Sequence, residues 1–172
     1  FRSYHVIDYL PDFVERWGAL MRSAPRELTS FLMIHHHQGK YVSAAQNVWS
    51  GVDAANAQQV LHSFVELAPL MQHQAAITSY PDVVIGGRQI NVGQQTIKMR
   101  DGLVDVVDRR VGEALKEVMD NRISAVGELR SLGGAVNDVG VIATAYAHRS
   151  QEALVAFWCH PESVEAIDAA WK

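Results

Sequence analysis

A short interruption in a long β-like run constrains the fold of this chain more than any other feature. Residues 28–37 and 41–49 are both rich in apolar and β-branched side chains, and only Gln38-Gly39-Lys40 separates them. A connection this short, with a glycine in it, is typical of a hairpin turn. The two runs therefore predict adjacent antiparallel strands, and the other elements must be arranged around this pair.

Helical periodicity flanks the hairpin on both sides. Before it, apolar residues recur at i, i+4, i+7 and i+8 behind Pro11; they are Phe13, Trp17, Leu20 and Met21. After it, Asp53 is a suitable N-cap for a second helix with one apolar stripe, made of Ala57, Val60, Leu61, Phe64 and Val65. With strands at residues 1–7 and 72–80, the first half reads β-α-β-β-α-β, the ferredoxin-like order.

The second half repeats this order loosely. Strands are predicted at residues 92–99, 123–129, 141–148 and 153–159, and a long helix between Asp101 and Asn121, with a last helix after Pro161. Its apolar positions are Val104, Val107, Val111, Leu115 and Val118 in the long helix and Val164, Ile167 and Trp171 in the last. Residues 81–91 are predicted to be a mobile loop or an internal seam between two parts of the chain. The pattern predicts an α+β fold with a largely antiparallel sheet and helices on one face.

The composition limits the classes of partner. The chain has 172 residues and a formal net charge of −4, from 15 Lys and Arg against 19 Asp and Glu. The length suits one domain, or two small ones packed closely together. We expect it to bind neither nucleic acid nor an anionic membrane surface, since no basic cluster is present. No run approaches the ~20 apolar residues of a membrane span. We expect a cytoplasmic protein whose single cysteine, Cys159, is an inert core residue.

Alternation along the strands predicts an unusual second face of the sheet. Tyr41, Ser43 and Asn47 share one side of their strand, opposite Val42 and Ala44. We expect the apolar side to pack against the helices and the other to carry mostly uncharged polar groups. Such a face suits a wall that hydrogen-bonds a ligand or partner, but it also suits a surface that is merely low in charge. Both interpretations stay open.

Residues 128–150 carry the most suggestive polar groups. A paired glycine ends one predicted strand, and the next, residues 141–148, is built from small side chains and leads to Tyr146, His148 and Arg149. Small residues leave space beside a sheet, and a phenol, an imidazole and a guanidinium can orient a ligand there. The pattern equally fits a hairpin with a solvated polar end.

Three consecutive histidines, His35 to His37, raise the question of a metal site. Successive side chains of a strand point to opposite faces, so only His35 and His37 could act together. No Cys, Asp or Glu follows them at ligand spacing. We therefore expect no metal site here.

Four stretches of the sequence resemble one family in the same order. LGGAVNDVGVIATAYAHRS, residues 132–150, is similar to that family's LGGAV segment followed by TAFPHR-like residues. APRELTSFLMI, residues 24–34, resembles its APDELTS strand start, while residues 68–83 and 153–171 resemble its next strand and its last strand and helix. The family comprises the bacterial FAD-linked oxidases of the berberine bridge enzyme-like branch of the vanillyl-alcohol oxidase superfamily.

This resemblance implies that residues 1–172 are a substrate-binding (cap) domain, whose sheet covers the isoalloxazine ring of FAD. The FAD-binding domain of the same polypeptide would lie outside this chain, which by itself would be inactive. The implied enzyme is an oxidoreductase that transfers hydride to flavin from a small-molecule alcohol, amine or sugar-like substrate. The resemblance implies Tyr146 as a catalytic proton acceptor and Arg149 near the cofactor. The implied substrate-binding residues are Gln94, Lys98 and His148.

The residues alone leave one alternative. Because the second half loosely repeats the first, the chain could be a stand-alone ligand-binding αβ-barrel protein of ferredoxin-like halves, with no redox activity. A start codon just before Phe1 would favour that alternative. An upstream region with glycine-rich phosphate-binding turns would favour the flavoenzyme.

Overall fold

The structure, a computed structural model, describes residues 1–85, 98–121, 126–159 and 163–170. Its elements are β1 (Arg2–Ile7), α1 (Leu10–Ser23), β2 (Leu28–His37), β3 (Lys40–Trp49), α2 (Ala54–His62), β4 (Leu70–Gln74), α3 (Tyr80–Ile85), β5 (Lys98–Val104), α4 (Arg109–Asp120), β6 (Val126–Ser131), β7 (Ala153–Cys159) and α5 (Val164–Ala170). Within the described residues the strands form a seven-stranded sheet in the order β4-β1-β3-β2-β6-β7-β5. Neighbouring strands are antiparallel, so the predicted α+β class with a largely antiparallel sheet is confirmed.

The first half of the chain does not form a sheet of its own. Its elements follow the order β-α-β-β-α-β, and its strands lie as β4-β1-β3-β2. However, β2 also pairs with β6, from Phe31 to His35, so the sheet continues without a break into the second half. The ferredoxin-like description of the first half stays a prediction.

Local signals set several element boundaries as expected. Gln38 and Gly39 have φ values of 49° and 78°, the backbone of a two-residue hairpin turn, and His37 pairs directly with Lys40. The predicted N-cap at Asp53 is confirmed. Its Oδ1 accepts hydrogen bonds from the N–H groups two and three residues further on, at 3.0 and 3.1 Å, which satisfies donors that a helix start leaves free.

The long helix begins later than predicted. It is α4, which starts at Arg109 rather than just after Asp101, because residues 98–104 pair with β7 as an edge strand. The start is set by Asp108, whose Oδ1 accepts hydrogen bonds from the N–H groups of Arg110 and Val111 at 3.0 and 3.3 Å. Val104, expected on the helix, is thus the last residue of β5.

Other boundaries also differ from the predictions. The strand expected at residues 72–80 is β4, Leu70–Gln74, and the expected loop at residues 81–91 begins as the short helix Tyr80–Ile85. Residues 86–97, 122–125, 160–162 and 171–172 lie outside the described residues, and with them parts of the predicted strands at 92–99 and 123–129 and of the last helix. In the described residues no helix is long and apolar enough to cross a membrane.

Helices α1 and α4 pack against each other on one face of the sheet, which confirms the predicted layering. Trp17 of α1 is buried and donates its indole N–H to Ser30 Oγ of β2 at 3.0 Å. Leu115 and Met119 of α4 lie over Gly127 of β6. The apolar core is therefore between this helix pair and the sheet.

The same helix-bearing face carries buried polar residues, which corrects the predicted face assignment. Tyr41, Ser43 and Asn47 were predicted on the opposite face, yet they are 8%, 2% and 0% exposed beneath the helices. Hydrogen bonds offset this burial for Tyr41 and for the Asn47 carbonyl oxygen, whereas Ser43 Oγ has no partner among the described residues. Ser30 Oγ, which accepts from Trp17, donates to Asn47 Oδ1 at 2.7 Å. Alternation thus grouped the residues correctly but assigned the groups to the wrong faces.

Candidate functional site

The open face is defined here as the face of the sheet opposite α1 and α4. Its central side chains are apolar or aromatic and mostly half-buried; the strand register assigns to it Phe31, Met33, Val42, Ala44, Met99, Leu103, Leu154, Ala156 and Trp158. The predicted uncharged polar face is therefore wrong in composition. Polar and charged side chains also lie on it, mostly toward the strand ends; they include Tyr4, His35, His37, Gln46, Gln72, Asp101, Glu128 and Arg130.

A buried carboxylate lies at the centre of the open face. Glu128 of β6 stands in register between Met33 of β2 and Ala156 of β7, and it is 0% exposed. Its Oε2 accepts a hydrogen bond from Trp158 Nε1 at 2.8 Å, and its Oε1 accepts one from Arg130 Nε. Each carboxylate oxygen thus has a donor, which a buried acidic group requires.

Arg130 connects this carboxylate to the surface. Its side chain is 52% exposed, whereas that of Glu128 is 0% exposed. Its guanidinium carbon lies 5.0 Å from the centre of the Phe31 ring, and ring stacking and the ion pair together orient the guanidinium. When Arg130 moves aside, Glu128 Oε1 becomes available to accept a proton. Alternatively, the remaining N–H groups of Arg130 can bind an anionic group.

The sequence predictions missed Glu128. The signal available was an acidic residue between Gly127 and Leu129, with an arginine two positions later. Glu is almost never fully buried unless it is paired. The pairing partners, Arg130 two residues away and Trp158 on the next strand, become visible only through the strand register.

A groove of about 490 Å³ lies on the open face, across β4, β1, β3 and β2. Its walls include Tyr4, His35, His37, Val42, Ala44, Met71 and Gln72. Burial lowers the pKa of His35, so its neutral imidazole is favoured. His35 is two residues from Met33, the cross-strand neighbour of Glu128, so the groove reaches the strand that pairs with the strand of Glu128.

A slightly larger groove of about 540 Å³ lies between α4 and the strands β5 and β7. Its walls are mainly apolar, with Val111, Leu115 and Phe157 among them. The carboxylate of Asp108 at its edge is already used to cap α4, and that of Asp105 accepts a hydrogen bond from a glutamine amide at 2.9 Å. The convergent acid–base groups therefore lie on the open face instead.

Three of the predicted site residues meet in the segment between β6 and β7. The rings of Tyr146 and His148 lie 5.6 Å apart at an angle of 72°. The guanidinium carbon of Arg149 lies 5.0 Å from the centre of the Tyr146 ring. The cluster is at the surface, with Tyr146 41% exposed. It can offer a phenol, an imidazole and a cation to a molecule that approaches this end of the sheet.

The same segment does not form the strand predicted over residues 141–148. Arg149 folds it back on itself by donating hydrogen bonds to Val136 O at 3.1 Å and to Thr144 Oγ1 at 2.6 Å. Its small, exposed side chains bury too little apolar area to hold a further strand. The two predicted rings therefore meet through this folding and not through a shared strand face.

Lys98 lies apart from that cluster. It is the first residue of β5 and pairs with Cys159, whereas Val104 at the other end of β5 pairs with Ala153, next to the folded segment. The length of β5 separates the two ends by about 20 Å, and the register turns Lys98 toward the helix-bearing face. Gln94 lies outside the described residues. Cys159 is 2% exposed, so its predicted burial is confirmed.

His35 and His37 share the open face, as alternation predicts. His36 points to the other side, where its ring lies 5.0 Å from that of Tyr41. Among the described residues, no group of three or more His, Cys, Asp or Glu side chains is arranged to hold a metal ion.

Comparison with known proteins places this fold. No family model and no curated protein matches the sequence. Solved structures that match include berberine bridge enzyme from Eschscholzia californica, with 12% sequence identity and a TM-score of 0.64. The match covers 99% of this chain and 37% of that chain. The 6-hydroxy-D-nicotine oxidase from Arthrobacter nicotinovorans matches with 13% identity and a TM-score of 0.72, over 99% of this chain and 41% of that chain. Physcomitrella patens BBE-like 1 matches with 12% identity and a TM-score of 0.74, over 99% of this chain and 42% of that chain.

These likenesses confirm the predicted resemblance at the level of the fold. The chain spans about two fifths of the length of the solved proteins that it matches, 37% to 42% for these three. Nearly all of its own length is covered in each case. It therefore has the fold of one part of larger proteins.

Proposed function

We propose that this chain is the substrate-binding domain of an FAD-dependent oxidoreductase. Its likeness to part of berberine bridge enzyme and of an oxidase supports a domain that works with a flavin-binding region of the same polypeptide. Such a region would cover the open face, because α1 and α4 occupy the opposite one. The chain alone would be inactive.

The observation that carries this proposal is the position of Glu128. Oxidation of an alcohol or amine removes a hydride from carbon and a proton from oxygen or nitrogen, so a base must lie near the substrate. Glu128 is a carboxylate on the open face, with Oε2 held by Trp158 and Oε1 paired with the half-exposed Arg130. Glu128 would take the substrate proton at Oε1.

The open face also fits a flat aromatic cofactor. Beside Glu128, the side chains of Leu154, Ala156, Trp158 and Met99 form an apolar strip on β7 and β5, and an apolar wall suits a large planar ring. FAD, when bound, supplies the hydride acceptor. The residues of this chain would orient the substrate, exclude water and hold the proton.

The cluster at the end of β6 and β7 would extend the site. We propose Tyr146 as a second proton acceptor, His148 as a substrate contact and Arg149 as a partner for an anionic group of the cofactor. Their mutual contacts support a joint role. Gln94 and Lys98 stay proposed substrate contacts, and Lys98, at the far end of β5, would reach only a long substrate.

The test uses the complete polypeptide that carries this chain, purified with FAD, and a panel of alcohols, amines and sugars. Glu128→Gln keeps the side-chain size and an acceptor for Trp158 but removes the base. The rate constant of flavin reduction should fall about 10²- to 10⁴-fold, with flavin content unchanged. Glu66→Gln, at a carboxylate that is 75% exposed, is the matched control and should leave the rate unchanged.

Two results would count against the proposal. An unchanged reduction rate in Glu128→Gln would remove Glu128 from the chemistry. A complete polypeptide without flavin absorbance, or without flavin reduction by any substrate class, would contradict the oxidoreductase and favour a stand-alone ligand-binding protein.

A further inference from the structure

The helix-bearing face of the sheet contains a patch of buried polar residues, defined here as Ser3, His5, Ser43 and Asn47. Each has a polar side-chain atom without a hydrogen-bond partner in the part of the chain that the structure describes, namely Oγ of both serines, Nε2 of His5 and Nδ2 of Asn47. The four residues are between 0% and 2% exposed, so bulk water does not reach them. Leaving such atoms unsatisfied costs more than a hydrogen bond returns. The polar patch therefore indicates a small polar ligand enclosed within the fold.

The strand register brings these atoms together. Ser43 of β3 stands directly opposite His5 of β1, and Ala45 stands opposite Ser3. Asn47 follows Ala45 on the same face, two residues further along β3. Directly opposite residues of an antiparallel pair have Cβ atoms about 4.5–5.5 Å apart, and diagonal neighbours about 7–8 Å. Because the side chain of Ala45 is only a methyl group, it takes up little of the space between the polar side chains.

The neighbours of the polar patch fix the role of each atom. His5 Nδ1 lies 3.1 Å from Ala68 O, and a carbonyl oxygen only accepts, so Nδ1 carries the proton of the neutral imidazole and Nε2 is an acceptor. Burial lowers the pKa of His5 more than the bond to Ala68 raises it, which favours this neutral ring. Ser30 Oγ donates to Asn47 Oδ1 at 2.7 Å, so the amide nitrogen of Asn47 is left as a donor. The two serine hydroxyl groups of the patch can donate or accept.

The spacing within the polar patch suits a bridging water molecule. His5 Nε2 and Ser43 Oγ do not bond to each other, although their side chains face each other across the strand pair. Water has two hydrogens to donate and two lone pairs, so it can join two groups that are too far apart for a direct bond. The ring of Phe13 in α1 lies 6.2 Å from the ring of His5 and helps to close the patch from the helix side. Since the patch is closed to solvent, its ligand must be as small as water.

We infer that the polar patch binds two structural water molecules. The first donates a hydrogen bond to His5 Nε2 and also bonds to the hydroxyl group of Ser43. The second accepts a hydrogen bond from Asn47 Nδ2 and donates one to Ser3 Oγ. Each water then has the two polar partners that a buried water needs at least, and both tie β1 to β3 beneath α1. The polar patch and Glu128 lie on opposite faces of the sheet, so the inference goes beyond the proposed function and does not depend on it.

A crystal structure of the complete polypeptide that carries this chain, at a resolution that shows ordered water, tests this inference. One water oxygen should lie about 2.7–3.2 Å from both His5 Nε2 and Ser43 Oγ, and another at a similar distance from both Ser3 Oγ and Asn47 Nδ2. Ser43→Ala should remove the first water and leave the second, and Ser3→Ala should do the reverse.

Ser131→Ala is the matched control for these structures. Ser131 Oγ already accepts a hydrogen bond from the N–H of Ser30 at 2.9 Å, so both waters should remain in this variant. The inference is overturned if either bridging water is absent from the unchanged protein. It is also overturned if both waters persist in Ser43→Ala and in Ser3→Ala.

Thermal unfolding of the same polypeptide gives a second test, whose sign separates a hydrated patch from a dry one. In a hydrated patch, Ser43→Ala removes a hydrogen bond to water, so the midpoint should fall by about 1–6 °C. In a dry patch the same change removes an unsatisfied hydroxyl group, so an unchanged or higher midpoint would overturn the inference. Neither measurement involves flavin reduction, so failure here would leave the proposed oxidoreductase standing.

Discussion

The contact between α1 and α4 predicts that Gly112→Ala lowers the stability of the protein, whereas helix propensity alone predicts that it raises it. Gly112 lies within α4, where replacement of glycine by alanine ordinarily stabilises a helix by about 1 kcal/mol. In this structure, however, a Cβ at Gly112 would lie 2.5 Å from Pro11 Cα and 3.0 Å from Pro11 O. Both atoms belong to the backbone of the first turn of α1, which cannot turn aside as a side chain can.

The magnitude follows from the distance. Ordinary van der Waals contact begins at 3.4 Å, so Gly112→Ala must separate the two helices by about 0.9 Å. A gap of that size forfeits a quarter to a half of the dispersion energy of the atoms lining it, and overpacking costs about 3 kcal/mol at the upper end of its usual range. After the gain of about 1 kcal/mol from propensity, we expect a net destabilisation of about 2 kcal/mol.

Thermal unfolding followed by circular dichroism measures this. A domain of this size loses about 2–4 °C per kcal/mol, so the midpoint should fall by about 4–8 °C. Gly140→Ala is the matched control, since no atom lies within 4 Å of the Cβ it would add, and it should change stability by less than about 1 kcal/mol. A higher midpoint for Gly112→Ala would refute the close packing of α1 on α4.

Two further predictions concern hydrogen bonds that set element positions. Asp53→Ala should destabilise the chain by about 1 kcal/mol in urea unfolding, because it removes the N-cap of α2, whereas Asp53→Asn, which keeps the acceptor, should retain most of that stability. Burial, then the hydrogen bond to Asp120 and its charge, raise the pKa of Tyr41. The unfolded chain therefore ionises this phenol first, so stability should fall as the pH rises above about 10. Tyr41→Phe should flatten that decline above pH ~10, and an unchanged pH profile would contradict the burial of Tyr41 and its contact with Asp120.

Local chemistry explains which parts of the fold were predictable from the sequence. The turn at Gln38 and Gly39, the cap at Asp53 and strand β7 depend on residues close together in the chain, and each was predicted correctly. The start of α4 was predicted too early because an apolar periodic run continues back through Val104. The competing interaction, pairing of β5 with β7, joins residues far apart in sequence and leaves no local signal.

The candidate site was harder to predict for the same reason. Tyr146, His148 and Arg149 were named as neighbours in sequence, and they do meet, although by a fold-back and not on a strand. Glu128 could not be recognised because its donors, Arg130 and Trp158, come together only after β6 and β7 align. A carboxylate in isolation gives no indication that it is buried.

The error in face assignment bears on function. Polar Ser30 and Asn47 are stable under the helices because they bond to each other and to Trp17, which fixes α1 in register on the sheet. Apolar strand residues lie on both faces: Leu32, Ile34 and Leu129 pack under the helices, and others lie on the open face. On the open face, aliphatic side chains adjoin Met99, which is 43% exposed, and the half-buried Trp158. Together they form a larger apolar surface than single exposed side chains would. Continuous apolar surface of this kind marks a site of ligand or protein contact.

A partner over the open face would bury it together with Glu128, and desolvation there would strengthen the interaction of that carboxylate with any substrate proton. Because α1 and α4 occupy one face of the sheet, the open face is the one that such a partner can cover.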